Sequence, residues 1–194
     1  MLLLQEERPL NHPMQKGSIE VICGSMFSGK TEELLRRIKR AEFAKLKIAV
    51  FKPQVDIRYD EKKVVSHDSN KTTSYPIKNP TDILNITTEM EVVAIDEAQF
   101  FGNELIAVCN KLADDGKRVI IAGLDMDFLG KPFGIMPQLL AIAEHVTKVH
   151  AICVDCGSIA NHSFRLTKSK ELVEIGDCLL YTSPSPRDKR QSRM

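Results

Sequence analysis

An eight-residue stretch, residues 24–31, has the residue types and spacing best suited to chemistry in this chain. Its members are Gly24, Ser25, Met26, Phe27, Ser28, Gly29, Lys30 and Thr31. They fit the phosphate-loop pattern G-x-x-x-x-G-K-[ST] at every fixed position. The two glycines allow a tight turn whose amides point at phosphate oxygens, Lys30 can reach the terminal phosphates, and the Thr31 hydroxyl can ligate Mg²⁺. The stretch therefore predicts an ATP-type nucleotide site.

A second candidate for chemistry is the acidic pair Asp96 and Glu97, which follows the apolar run 92–95. Such a run predicts a buried parallel strand, so the pair lies at the carboxyl edge of a sheet, where ligands bind in open α/β folds. Asp96 resembles a Walker B aspartate that holds nucleotide-bound Mg²⁺. Glu97 can act as a general base. The alternative is a solvated strand end, which the phosphate loop upstream disfavours.

The elements that must position these residues alternate between apolar runs and helical periodicity. A strand, the glycine loop, a helix and a second strand closed by Pro53 make a β-α-β unit, which implies a parallel sheet. We expect an α/β fold of P-loop NTPase type, a parallel sheet flanked by helices, with a small C-terminal hairpin or zinc-knuckle-like subdomain. Strands are expected at 19–23, 47–53, 91–95, 118–124 and 148–153, and helices at 32–44, 82–86, 103–115 and 137–145.

Composition divides the chain into four parts. Residues 1–16 are expected to be a disordered leader, 17–150 the P-loop α/β domain, and 151–177 a small zinc-knuckle-like subdomain. Residues 178–194 contain a Ser-Pro repeat and a basic run and are expected to be a disordered, non-native tail. Within the core, 54–80 is polar and aperiodic, which predicts a long connection. In the subdomain, 158–166 and 171–175 alternate as a hairpin does.

Charge and cysteine content exclude several classes of protein. The chain has 27 basic and 26 acidic residues, so nothing global predicts a nucleic-acid partner. No apolar run approaches the ~20 residues that a membrane helix needs. Five cysteines are an odd number, and we interpret them as reduced thiols of a cytoplasmic protein. Cys153 and Cys156 form one CxxC, which is equally compatible with half a zinc site and with a tight turn.

Taken together, the motifs resemble those of the thymidine kinase family shared by bacteria and the animal cytosol. The resemblance covers about residues 17–176 and rests on the stretches GSMFSGKT (24–31), DIRY (56–59), SHD (66–68), IDEAQFF (95–101), GLD (123–125) and KPFG (131–134). It implies transfer of the ATP γ-phosphate to the 5′-hydroxyl of thymidine. It also implies that 17–150 is a kinase domain and that 151–177 is a lasso or zinc-type subdomain. This subdomain is expected to be truncated, because near Asp177 the pattern departs from relatives that continue into a lasso and a second CxxC.

The resemblance also implies roles for individual residues. Glu97 matches the general base, Arg58 an arginine that steadies charge on the transferring group, and Thr31 and Asp96 the Mg²⁺ ligands. The nucleotide contacts implied are residues 24–31 together with Asp96, Glu97, Ala98 and Gln99. The nucleoside contacts implied are Met26, Asp56, Phe100, Leu124, Phe128, Phe133 and Tyr181. For Phe100 and Phe133, ordinary packing is an equally good interpretation.

Relatives of this kind form tetramers and are inhibited by thymidine triphosphate, so both properties are expected by resemblance. Zinc binding at Cys153 and Cys156 is left with an incomplete ligand set. Two other functions remain open at this point. One is a P-loop ATPase coupled to a partner, in which Glu97 activates water. The other is an inactive nucleotide-binding remnant that lacks the lasso.

Overall fold

The computed structural model describes residues 17–54, 63–65, 71–154, 156–165 and 180–183. In chain order the strands are β1 (Ser18–Gly24), β2 (Ile48–Pro53), β3 (Lys63–Val65), β4 (Lys71–Thr73), β5 (Tyr75–Ile77), β6 (Val92–Ile95), β7 (Arg118–Leu124), β8 (His145–Lys148), β9 (Ala151–Ile152), β10 (Ile159–Ala160), β11 (His162–Arg165) and β12 (Leu180–Ser183). The helices are α1 (Lys30–Phe43), α2 (Asp82–Ile86), α3 (Glu104–Asp114) and α4 (Met136–Ile142).

A six-stranded sheet in the order β5-β2-β6-β7-β1-β8 forms the centre of the fold, and every neighbouring pair in it is parallel. Strand β1 lies beside β7, and β7 lies beside β6. The phosphate loop after β1 and the acidic pair after β6 therefore emerge at the same edge of the sheet. This arrangement confirms the predicted α/β fold class.

Two apolar layers cover the sheet. On one face, alternate residues of β1 (Ile19, Val21 and Cys23) pack with α3 and α4 in one buried cluster. On the other face, Ile22 packs with the apolar stripe of α1, including Leu34 and Ile38. The alternation along β1 follows from the two-residue period of a strand, which sends successive side chains to opposite faces.

A buried ion cluster joins α1 to the sheet on the α1 face. Glu20 of β1 accepts hydrogen bonds from Arg37 of α1 at 2.7 Å and from Arg118 of β7 at 2.6 Å. Arg37 also donates to Glu33 and to the hydroxyl of Thr147 on β8. Burial by itself raises the pKa of Glu20, but the hydrogen bonds and charges of Arg118 and Arg37 hold that pKa below its ordinary value. The cluster ties α1 to β1, β7 and β8.

Three local expectations differ from the structure. The long connection contributes β5, which lies at the edge of the sheet. The edge position tolerates Pro76, since proline has no amide proton to donate to a second neighbouring strand. It also contributes the β3–β4 hairpin. The expected strand at 148–153 is divided: β8 joins the main sheet, whereas β9 pairs with β10 in a separate two-stranded sheet.

The C-terminal part of the chain is also paired differently from the expectation. Strand β11 pairs antiparallel with β12, which lies inside the segment whose composition predicted disorder. The predicted partner strand at 171–175 lies outside the described residues. The domain boundaries given above stay a prediction.

Candidate active site

The phosphate loop connects β1 directly to α1. Gly29 adopts a left-handed conformation (φ 83°) and caps α1, and the Gly29 carbonyl accepts the Glu33 amide at 2.9 Å. Residue 24 must be glycine, because a Cβ at Gly24 would lie 2.2 Å from the carbonyl oxygen of Val149. The local sequence thus forms a tight loop followed at once by a helix N-terminus, which is the arrangement that binds anions.

Lys30 lies beneath this loop and is 9% exposed. Its Nζ donates to the carbonyl oxygen of Ser25 at 2.7 Å. Burial lowers the pKa of Lys30, while the negative charges of Glu97, Asp96 and Asp125 act in the opposite direction. These three carboxylates follow β6 and β7, so they share with Lys30 the edge of the sheet at which the loop emerges.

Asp96 links the loop to β6. The hydroxyl of Thr31 donates to Asp96 Oδ2 at 3.4 Å, and the amide of Glu97 donates to Asp96 Oδ1 at 2.9 Å. Asp96 is 7% exposed. A hydroxyl and a carboxylate held side by side are oxygen ligands of the kind that Mg²⁺ prefers, so the donor set fits this metal.

Glu97 lies on a strained turn. Its φ of 52° is in the left-handed region, which is uncommon for a residue other than glycine. A short 3₁₀ turn over Ala98–Phe100 follows, and the Phe100 amide donates to the Glu97 carbonyl at 3.1 Å. Such strain costs about 1–3 kcal/mol and tends to occur at functional sites. The side chain of Glu97 accepts a hydrogen bond from Gln99 Nε2.

The loop after β7 forms a wall beside these carboxylates. Asp127 Oδ1 accepts the amides of Leu129 and Lys131, each at 2.9 Å, which shapes the loop. The loop ends at Phe133, which is 7% exposed and packs edge-to-face on Phe100 with ring centroids 5.8 Å apart. The structure therefore brings these two aromatics together as packing partners, and their contact with a nucleoside stays a prediction.

The C-terminal segment contacts the phosphate loop. The amide of Met26 donates to the hydroxyl of Ser163 on β11 at 2.8 Å, and the Ser25 hydroxyl lies 3.4 Å from the carbonyl oxygen of Ala160 on β10. Sequence reasoning did not identify Ser163, because a single serine in a short strand has no distinguishing pattern. Leu124 and Phe128 are both half-buried near the acidic edge.

Some predicted site residues are not placed. Asp56 and Arg58 lie outside the described residues. Tyr181 falls in β12, where its backbone is opposite Phe164. Their roles stay predictions.

The CxxC segment forms a turn, in which the Gly157 amide donates to the Cys153 carbonyl at 2.9 Å. The Cys153 side chain is buried, whereas Cys156 is exposed. Within the described ranges, no group of three or more His, Cys, Asp or Glu side chains is arranged to hold a metal ion. Two thiols alone do not fit a four-ligand zinc site.

Among the residues that the structure describes, no helix has the length and apolarity to span a bilayer.

A β-strand, a phosphate loop and a helix, together with a parallel strand two positions away that ends in an acidic pair, define a nucleotide-binding P-loop protein. The thymidine kinase family model matches residues 17–185. The chain is 57% identical to the thymidine kinase of Bacteroides fragilis over 181 residues, which is 93% of this chain and 90% of that protein. It is 56% identical to the thymidine kinase of Porphyromonas gingivalis over 169 residues, 87% of this chain and 83% of that protein.

The chain therefore belongs to the thymidine kinase family, and it is a kinase. The family-model match runs to residue 185, beyond the stretch 17–176 whose motifs carry the resemblance, and the truncation of the lasso stays a prediction. Among solved structures, domain III of Thermotoga maritima DnaA aligns at a TM-score of 0.44 and 16% identity, over 71% of this chain and 56% of that one.

Proposed function

We propose that this chain transfers the γ-phosphate of ATP to the 5′-hydroxyl of thymidine and forms thymidine 5′-monophosphate. The observation that carries the proposal is the meeting of the Thr31 hydroxyl and the Asp96 carboxylate at 3.4 Å, next to buried Lys30. Identity above one half to thymidine kinases over most of the chain supports the choice of substrate.

The loop supplies the binding site for the triphosphate. Its amides and the N-terminus of α1 face the phosphate oxygens, and Lys30 neutralises the β- and γ-phosphates. Thr31 and Asp96 would hold Mg²⁺, which would supply positive charge to the β- and γ-phosphates. Ala98 and Gln99 complete the set of nucleotide contacts that the family resemblance implies.

Glu97 is proposed as the general base. It accepts the proton of the 5′-hydroxyl while the oxygen forms a bond to the γ-phosphorus. The bond between that phosphorus and the β,γ-bridging oxygen breaks, and its electron pair leaves with ADP. Arg58 is proposed to steady the charge on the transferring phosphoryl group, a role suited to a planar and permanently charged guanidinium.

The nucleoside is proposed to bind against the wall formed after β7. Met26, Leu124 and Phe128 would contact the thymine, and Phe100 and Phe133 would support this wall from behind. Asp56 and Tyr181 are proposed on the sugar and base sides. Feedback inhibition by thymidine triphosphate, a homotetrameric assembly and a cytoplasmic location belong to the same proposal.

The direct test is phosphorylation of thymidine by the purified chain with ATP and Mg²⁺. The matched control is Glu97→Gln, which keeps the size of the side chain and removes its basicity. We expect the control to be slower by about 10²–10⁴-fold, which is the contribution typical of a general base. Wild-type product no greater than that of the control contradicts the proposal.

Two further measurements separate the alternatives. Thymidine should raise the thermal unfolding midpoint of the wild type, because a ligand that binds only the native state stabilises it. An inactive remnant would bind ATP without this thymidine-dependent shift. A partner-coupled ATPase would hydrolyse ATP without thymidine and would respond to a partner instead.

A further inference from the structure

Gln99 lies in the 3₁₀ turn that follows Glu97, and it is 4% exposed. Both the oxygen and the nitrogen of its side-chain amide form hydrogen bonds within the protein. The carbonyl oxygen Oε1 accepts the backbone amide of Leu124 at 3.0 Å, and Nε2 donates to Glu97 Oε2. A backbone amide can only donate, so the contact with Leu124 determines which end of the Gln99 side chain faces Glu97.

Two glycines make room for this arrangement. A Cβ at Gly123 would lie 2.8 Å from Gln99 Oε1, and a Cβ at Gly134 would lie 2.5 Å from the backbone carbonyl oxygen of Gln99. The end of β7 and the loop at 131–134 therefore pack tightly against Gln99. Leu124 ends β7, so Gln99 is anchored to a buried central strand of the sheet.

Glu97 needs such an anchor. Its backbone is in the left-handed region, and the nearby 3₁₀ turn determines where its side chain begins, not where its carboxylate points. Three rotatable bonds in the Glu97 side chain leave the position of its carboxylate open. An effective base must lie within hydrogen-bond reach of the proton that it accepts. A donor fixed to β7 favours the orientation in which Glu97 Oε2 faces Gln99.

We propose that Gln99 is a positioning residue for the reaction, which orients the Glu97 carboxylate through its own amide and does not itself bind ATP. This inference rests on the proposed function of Glu97 as the base. It replaces the nucleotide contact that the family resemblance implies for Gln99 with an indirect role.

The first test is a comparison of steady-state kinetics between the wild type and two variants. Gln99→Met removes both amide contacts at similar volume, and Gln99→Glu retains an acceptor for Leu124 but replaces the donor that faces Glu97. In both, kcat should fall by about 10–100-fold, since a misplacement of ~1 Å can cost as much as 10²-fold. KM for ATP and for thymidine should change by less than about twofold, because no substrate contact is lost.

Gln138→Met is the matched control, since Gln138 is exposed on α4 and remote from the turn in sequence. It should keep the wild-type kcat and KM. Thermal unfolding of each variant shows whether it is folded. Should Gln99→Met not fold, because the amide of Leu124 is left without an acceptor, Gln99→Glu carries the same test.

The decisive measurement is a double-mutant cycle with Glu97→Gln. If Gln99 acts through Glu97, the double variant Gln99→Met/Glu97→Gln should have the residual kcat of Glu97→Gln alone, because the base is already absent. A further fall of tenfold or more, about the loss expected of Gln99→Met alone, or a raised KM for ATP, overturns the inference and assigns Gln99 to the nucleotide. A wild type without thymidine phosphorylation overturns the proposed function as well, so the two failures are distinguishable.

Discussion

Neutralising Glu20 tests whether the buried ion cluster holds α1 on the sheet. The Glu20 carboxylate accepts hydrogen bonds from Arg37 Nη1 at 2.7 Å and from Arg118 Nε at 2.6 Å. Its side chain is only 10% exposed. Glu20→Gln keeps the shape of the side chain but takes the carboxylate away from Arg118 and leaves Arg37 paired with Glu33 alone. Removing one partner of a buried ion pair typically costs about 3–5 kcal/mol. That is a large share of a total stability of about 5–15 kcal/mol.

The effect of pH follows from the direction of the pKa shift. The pKa of Glu20 in the folded protein is held below its ordinary value of 4.5. Its ionised form therefore stabilises the fold fully above that ordinary value, and this stabilisation is lost as the pH falls through the lower, folded pKa. The wild type should lose stability across this acidic window, and Glu20→Gln should show a shallower dependence there.

Urea unfolding followed by far-UV circular dichroism is a suitable assay, because the chain contains no tryptophan. The matched control is Glu89→Gln, which removes an ion pair with Lys47 whose side chains are 76% and 61% exposed. Such a surface pair contributes about 0–1 kcal/mol. Equal unfolding midpoints for the two variants at neutral pH would refute the reasoning about the buried cluster.

Three more predictions concern the site and its surroundings. Asp96→Asn should raise the Mg²⁺ concentration needed for half-maximal activity by about tenfold or more, as measured by metal titration at saturating ATP. Gly116→Ala should lower the free energy of unfolding in urea by about 1–2 kcal/mol, because its φ is positive and nothing lies near its Cβ. Gly134→Ala should lower kcat as well, because its Cβ would collide with the turn that carries Glu97. Iodoacetamide should label Cys156 on the native protein and Cys109 only after unfolding, by peptide mass spectrometry, because Cys109 is buried and its pKa is raised to about 12.

Much of the site was readable from sequence because its chemistry depends on local spacing. The phosphate loop needs Gly29, Lys30 and Thr31 at fixed positions, and Asp96 ends a continuous apolar run. The same holds for the central strands and for α3, whose predicted and observed bounds agree within a residue. Predictions failed where long-range pairing decided the outcome, as in the edge strand β5 and in the division between β8 and β9.

By itself, then, the sequence determined the class of fold, the phosphate loop and the acidic pair, because each depends on residues adjacent in the chain. Only the tertiary structure decided that Gln99 accepts the amide of Leu124 and that Ser163 contacts Met26. The physical reason is that a side-chain hydrogen bond depends on which strands become neighbours and how closely their backbones approach. The parallel order β6-β7-β1 and the glycines at 123 and 134 create those approaches, and no local pattern encodes them.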